Sequence, residues 1–208
     1  MTRLVLDNAG VAQPAVHAPV RPGRPQILAD VVLDALELER RERHRALPIL
    51  SLDLLNLLVT MPLRLPVQAD SFSDFDWRIL EAGSRRGVVN IFSVDGHLAA
   101  TRCAAPPLTV QHVTVTTRNW RTGLTTASRF APYSSRELIL ERLPADDLQL
   151  RLEADYLGVG VSVRGSDPDM PIRQIIEPAS FAPARYTGAS WLFAERLLTR
   201  RTVLDDGY

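Results

Sequence analysis

Residues 88–103 read VVNIFSVDGHLAATRC. Two extended runs, 88–94 and 97–103, flank Asp95-Gly96. Asp-Gly supplies the positive φ angles that a type I′ turn demands, and the twist of that turn matches paired strands. The stretch therefore predicts a β-hairpin, and the rest of the fold is read outward from it. Beyond Pro106-Pro107, the Thr- and Val-rich runs 108–117 and 124–130 flank residues 119–123 and predict a second hairpin. On the other side, a short helix is expected over 77–82, ending near Gly83. A second, Ser51-capped helix is expected over 52–61, with Leu, Val and Met around most of its circumference.

Further out, the periods change. Pro25 suits a first helical position, and Ile27, Leu28, Val31, Val32, Ala35, Leu36 and Leu38 recur at helical spacing, so a helix is expected from 25 to about 47. Its second half, ERRERHRA, is polar nearly all round and carries the i,i+4 pairs Glu37–Arg41 and Glu39–Arg43. A helix opening at Ser134-Ser135 is expected to run to about 142. Residues 147–157 fit helix and strand alike, and the Asp146-x-x-Gln149 capping signature favours helix. Residues 158–164 alternate as a strand, 172–176 form another, and 187–201 form a last amphipathic helix around Trp191, Leu192, Ala194 and Leu198. Residues 1–25 hold Pro14, Pro19, Pro22 and Pro25 and read as an extended arm, with a short strand at 3–6. The expectation is α+β: an antiparallel sheet of hairpins flanked by N-terminal and C-terminal helices. The Pro-rich arm covers 1–25 and a single domain covers 26–208.

Composition excludes several chemistries. The chain has 208 residues, 46% of them hydrophobic, with 24 acidic and 24 basic side chains and net charge zero. Overall charge therefore implies no polyelectrolyte partner. All of the basic side chains are Arg, and Lys is absent. That removes Schiff-base chemistry, the P-loop and kinase lysines, and any Ser–Lys pair. Cys103 is the only cysteine, so an intrachain disulfide and a thiolate zinc cluster are excluded, and a reducing compartment fits. The first twenty residues lack the apolar core of a signal peptide, and the most apolar window, 49–61, is too short and too polar to span a bilayer. A cytoplasmic protein without membrane contact is expected.

The chemical constellations are sparse. His97, Cys103 and His112 are the metal-type residues, but six strand residues separate the first two by about 20 Å, so no metal site is expected. No cofactor is implied either. Asp70, Asp74 and Asp76 stand among Phe72, Phe75 and Trp77, a mixture that binds sugars or cations. Alternatively, Ser73 or Asp74 caps the next helix. Asp74 and Asp76 are carried forward as ligand-binding candidates. So are Gly158 and Gly160, which bare one face of a strand to a packed neighbour or a ligand. Asp167-Pro168-Asp169 reads as a turn. A Gly-x-Ser-x-Gly elbow is missing, so a Ser–His–acid triad would have to be assembled from residues far apart in sequence.

Three Arg groups are candidates for phosphate: Arg40, Arg41, Arg43 and Arg45; Arg85 and Arg86; and Arg196, Arg200 and Arg201. Arg118, Trp120, Arg121 and Arg129 add an Arg/aromatic ribbon. The favoured expectation is a non-catalytic interaction or assembly subunit of a larger complex, with a protein partner or a homo-oligomer. Its expected contact residues are Leu54, Leu57, Leu58, Trp120 and Arg121. The alternatives are a small enzyme using Asp/His acid–base chemistry without metal or Lys, or an Arg-rich regulator that binds nucleic acid or a ligand.

Overall fold

The computed structural model describes residues 2–6, 12–14, 24–165, 172–182 and 186–205. In chain order the elements are β1 (Thr2–Leu6), β2 (Ala12–Pro14), β3 (Gln26–Leu33), α1 (Ala35–His44), α2 (Leu52–Thr60), β4 (Pro66–Gln68), a 3-10 turn (Ala69–Ser71), α3 (Asp74–Ser84), β5 (Val89–Val94), β6 (His97–Arg102), β7 (Leu108–Thr117), α4 (Trp120–Ser128), β8 (Ser135–Leu140), α5 (Leu148–Leu157), β9 (Gly160–Val163), β10 (Arg173–Ile176) and α6 (Gly188–Asp205). The class is α+β. Apart from β1 and β2, the expected arm lies largely outside the described residues, as does the expected turn at 167–169. Where the sequence reads one body over 26–208, contacts divide the chain into two compact units. Unit 1 is Met1–Val32, Val110–Pro183 and Arg200–Tyr208, and unit 2 is Leu33–Thr109 and Ala184–Thr199.

Unit 2 contains the hairpin from which the fold was read. β5 pairs antiparallel with β6 from Val89↔Arg102 to Val94↔His97, and Asp95 and Gly96 both take positive φ at the turn. β4 adds a third strand along β6. α2 is capped by Ser51, whose hydroxyl accepts from the Leu54 amide. Its Leu54, Leu55 and Leu58 join Ile49, Met61, Leu80, Val88, Val89, Ala100, Ala104 and Trp191 in one buried cluster. Much of the apolar surface of α2 thus packs within its own unit, with Leu57 and Val59 partly buried at the edge of the cluster and Leu52 exposed.

Unit 1 is built on a mixed sheet in the order β10-β9-β8-β7-β3-β1-β2. β7 and β8 run parallel, as do β8 and β9, while β9/β10, β1/β3 and β1/β2 are antiparallel. The sheet is therefore not made of hairpins alone, and three sequence expectations change with it. First, residues 26–33 form a strand instead of the start of a helix. Ile27, Ala29 and Val31 are fully buried at a period of two, paired with β1. Their apolar spacing fits both periods, and cross-strand pairing decides between them. Asp34 then caps α1, accepting from the Glu37 amide at 3.0 Å.

Second, residues 120–128 form a helix instead of the return strand of a hairpin. Asn119 Oδ1 accepts from the amides of Arg121 and Thr122, and the Thr126 and Ser128 hydroxyls donate back to the carbonyls of Thr122 and Leu124. Those back-bonds let a Thr-rich segment sit in a helix. Third, residues 135–140 form a central strand instead of a helix. Leu138, Ile139 and Leu140 are consecutively buried, as expected where both faces of a parallel strand are covered. The helices expected over 52–61, 77–82, 147–157 and 187–201 and the strands over 3–6, 158–164 and 172–176 are present as α2, α3, α5, α6, β1, β9 and β10.

Candidate functional site

The register of the parallel strands brings four reactive side chains onto one sheet face. His112 on β7 pairs with Ser135 on β8, and Glu137 lies two residues further along β8. Glu137 pairs with Gly160 on β9, and Ser162 lies two residues beyond that glycine. A period of two puts His112, Ser135, Glu137 and Ser162 on the same side. Contacts follow from that placement. The Nδ1 atom of His112 is 2.7 Å from the Ser135 hydroxyl, which also lies 3.0 Å from the Gln111 carbonyl. On the other side of the ring, Nε2 is 3.6 Å from Glu137 Oε2. The Ser162 hydroxyl donates to Glu137 Oε1 at 2.5 Å. His112 and Glu137 remain 22% and 21% exposed at the side chain, while Ser162 is buried.

The electrostatics suit a carboxylate that stays ionised. His112 beside it holds Glu137 below the usual carboxylate range. Partial burial opposes that shift and the Ser162 hydroxyl reinforces it. Sequence reading passed over Ser135, Glu137 and Ser162 as site residues, and considered His112 as a metal-type residue and as a candidate for Asp/His acid–base chemistry. The signal was a strand register, and it became readable only once 135–140 was known to be a strand.

The expected contact residues divide. Leu54 and Leu58 are buried in the core of unit 2, with Leu57 partly buried at its edge. Trp120 and Arg121 open α4. The Arg121 guanidinium lies 4.3 Å over the Trp120 ring, and its Nη2 donates to Gln149 on α5 at 2.9 Å. α5 turns Leu150 and Ala154 inward and Leu148, Leu152 and Tyr156 outward, one helical turn apart.

The ligand candidates divide as well. Asp76 completes a capping box with Ser73 at the start of α3. Asp74 lines an open concavity of about 470 Å³ in unit 2, together with Asp70, Phe72, Trp77, Arg78 and Glu81. Gly158 ends α5 in the left-handed region at φ 64°. Gly160 is covered by Pro178, whose Cδ stands 2.7 Å from where a Cβ would be. The bare strand face at Gly160 is therefore a packing contact.

Several of the Arg side chains considered for phosphate or as part of the Arg/aromatic ribbon face carboxylates. Arg40 and Arg41 are buried on Glu37, and Arg41 also grips Glu195 with both Nη atoms at 2.7 and 2.6 Å. Arg43 pairs with Glu39 and Arg118 with Glu141. Among the described residues, no helix is long and apolar enough to cross a membrane. Comparison with protein-family models, curated proteins and solved structures returned no match.

Proposed function

We propose that the protein is an interaction subunit that docks a second copy of itself through the α4–α5 layer of unit 1. The supporting observation is the outward stripe of α5: Leu148, Leu152 and Tyr156 are 61%, 63% and 89% exposed. Solvated apolar stripes of this kind mark contact sites. Trp120 and Arg121 adjoin the stripe through the Arg121–Gln149 hydrogen bond, and Trp, Tyr and Arg are the residue types enriched in binding hot spots. The charge pattern favours a second copy as the occupant. Arg151, held by Asp147, and Asp155 lie on the same flank of the stripe, one turn apart. Two α5 helices set antiparallel about a two-fold axis bring each Arg151 opposite the other copy's Asp155, so that the patch complements itself.

Sedimentation equilibrium of the full chain from about 1 to about 200 µM, the range of a transient contact, tests this directly. The expected result is a concentration-dependent dimer that Leu152→Asp returns to monomer and Trp120→Ala weakens about tenfold, a difference of ~1.4 kcal/mol. A wild type that is monomeric throughout, or a dimer indifferent to both substitutions, overturns the proposal.

A second reading has its own support. His112, set between a carboxylate and a hydroxyl on a half-open face, fits a small enzyme that works by acid–base chemistry without metal or Lys.

A further inference from the structure

We infer that Ser135, His112 and Glu137 form an acyl-transfer site that hydrolyses small carboxylic esters, with Ser135 as the nucleophile. The inference rests on the acid–base reading of the same face. It adds to that reading a covalent step and a substrate class.

The geometry supplies the parts. A serine nucleophile needs a base within hydrogen-bond reach, and Ser135 Oγ stands 2.7 Å from His112 Nδ1. The base needs a group on its far side that favours the imidazolium once it forms, and the Glu137 carboxylate lies 3.6 Å from Nε2, beyond hydrogen-bond reach but near enough to attract that charge. Glu137 in turn is anchored by the Ser162 hydroxyl. The ring is used in the sense opposite to the commonest triads, with Nδ1 towards the serine, and roles rather than atom names define such a site. The Ser135 proton has two acceptors within reach, the Gln111 carbonyl and His112 Nδ1. Rotation about Cβ–Oγ moves it from the first to the second.

The substrate class follows from the charges. The carboxylate of Glu137 disfavours an anionic phosphate, so a neutral carbonyl is the better match. An alkoxide leaves more readily than an amine, which suits a site whose His112 and Glu137 are still partly solvated. In the first half-reaction Ser135 Oγ bonds to the ester carbonyl carbon and its proton passes to His112 Nδ1. The ester C–O bond then breaks, and the alcohol departs with that proton. In the second half-reaction water adds to the acyl-serine and gives a proton to Nδ1. The Ser135 Oγ–acyl bond breaks, the acid is released, and Ser135 recovers the proton from Nδ1. Ester and water become acid and alcohol, and Glu137 keeps its charge throughout.

The test is to treat the full chain with a fluorophosphonate probe and, separately, with p-nitrophenyl acetate. Adducts are mapped by peptide mass, and far-UV circular dichroism confirms folding. The expected result is one adduct, on Ser135, and saturable hydrolysis that falls by about a hundredfold or more in Ser135→Ala and in His112→Gln. Glu137→Gln is expected to lower kcat more than it raises KM and to displace the pH profile. If Ser135→Ala does not fold, Ser135→Cys keeps the nucleophile and is expected to move labelling at residue 135 to iodoacetamide. Absence of a wild-type adduct, or an adduct elsewhere that survives Ser135→Ala, overturns the inference. His112-dependent hydrolysis that persists in Ser135→Ala overturns the nucleophile while leaving the acid–base reading in place. Hydrolysis indifferent to both residues overturns both.

Discussion

Two charge networks, one in each unit, solve the same physical problem in opposite ways. In unit 2, Glu37 accepts two hydrogen bonds from Arg40 and one from Arg41, and Arg41 bridges to Glu195, which also accepts from the Trp191 indole. All four charged residues are buried, and the cations are guanidiniums that stay charged at any ordinary pH. Burial pushes the Glu37 carboxyl up, but the hydrogen bonds from Arg40 and Arg41 outweigh it and hold the group below its usual range. In unit 1, Glu137 faces an imidazole and a hydroxyl on a face that solvent still reaches. The first network is sealed and multiply bonded, which makes it a structural clamp. The second is singly anchored and partly solvated, which leaves its imidazole and carboxylate accessible.

The sharpest way to break the comparison is at the clamp. Arg41→Ala leaves Glu37 short of a partner and strips Glu195 of both its ionic bonds. Removing one member of a buried pair costs about 3–5 kcal/mol. Urea unfolding is expected to show a loss of that size. The paired replacement Arg41→Met with Glu195→Leu should recover a large part of it, because the uncompensated charge disappears. A loss below about 1 kcal/mol for Arg41→Ala would mean that the network is no more than a surface pair.

Next in size is a packing test beneath the open network. Gly123 of α4 lies so close to β8 that an added Cβ would stand 2.4 Å from Leu138 Cδ1 and 2.8 Å from Thr117 Cγ2. Gly123→Ala is expected to cost about 1–3 kcal/mol by overpacking, measured by thermal or urea denaturation. If it is neutral, the helix sits more loosely on the strands than the register of the site requires.

A smaller effect separates the networks by pH. The folded pKa of Glu137 is lowered, so its contribution is in force above the unfolded carboxylate value of about 4.3 and is lost as pH falls through the folded value. Glu137→Gln is expected to cost about 1–2 kcal/mol at neutral pH, from the charged hydrogen bond to Ser162, and little in acid. A penalty that stays constant down to acid pH would remove the charge from the explanation. Smallest of all, Leu152→Asp on the outward face of α5 should shift stability by no more than about 0.5 kcal/mol while abolishing self-association. The same change at Leu58, buried in the core of unit 2, should unfold that unit.

Sequence legibility tracked the range of the interactions involved. Asp95-Gly96 carried its hairpin, Ser51 and Ser73 carried their helix starts, and the pairs Glu37–Arg41 and Glu39–Arg43 formed as spaced. Each of these depends on residues at most a few positions apart. Residues 26–33, 120–128 and 135–140 were misread because their local patterns suit more than one state. Asp34 and Asn119, both capping residues, were the overlooked local signals.

What the sequence determined by itself is the α+β class, a side-chain inventory without Lys and with one Cys, and the caps of α2 and α3. These follow from residue chemistry and near-neighbour geometry. The tertiary structure alone decided that the middle of the chain is a parallel β-α-β-α-β run, that Arg40 and Arg41 are buried, and that Leu54 and Leu58 are core. It alone brought His112, Ser135, Glu137 and Ser162 onto one face. The physical reason is strand register. It is set by pairing between segments some twenty to fifty residues apart, and a shift of one residue sends every side chain to the opposite face.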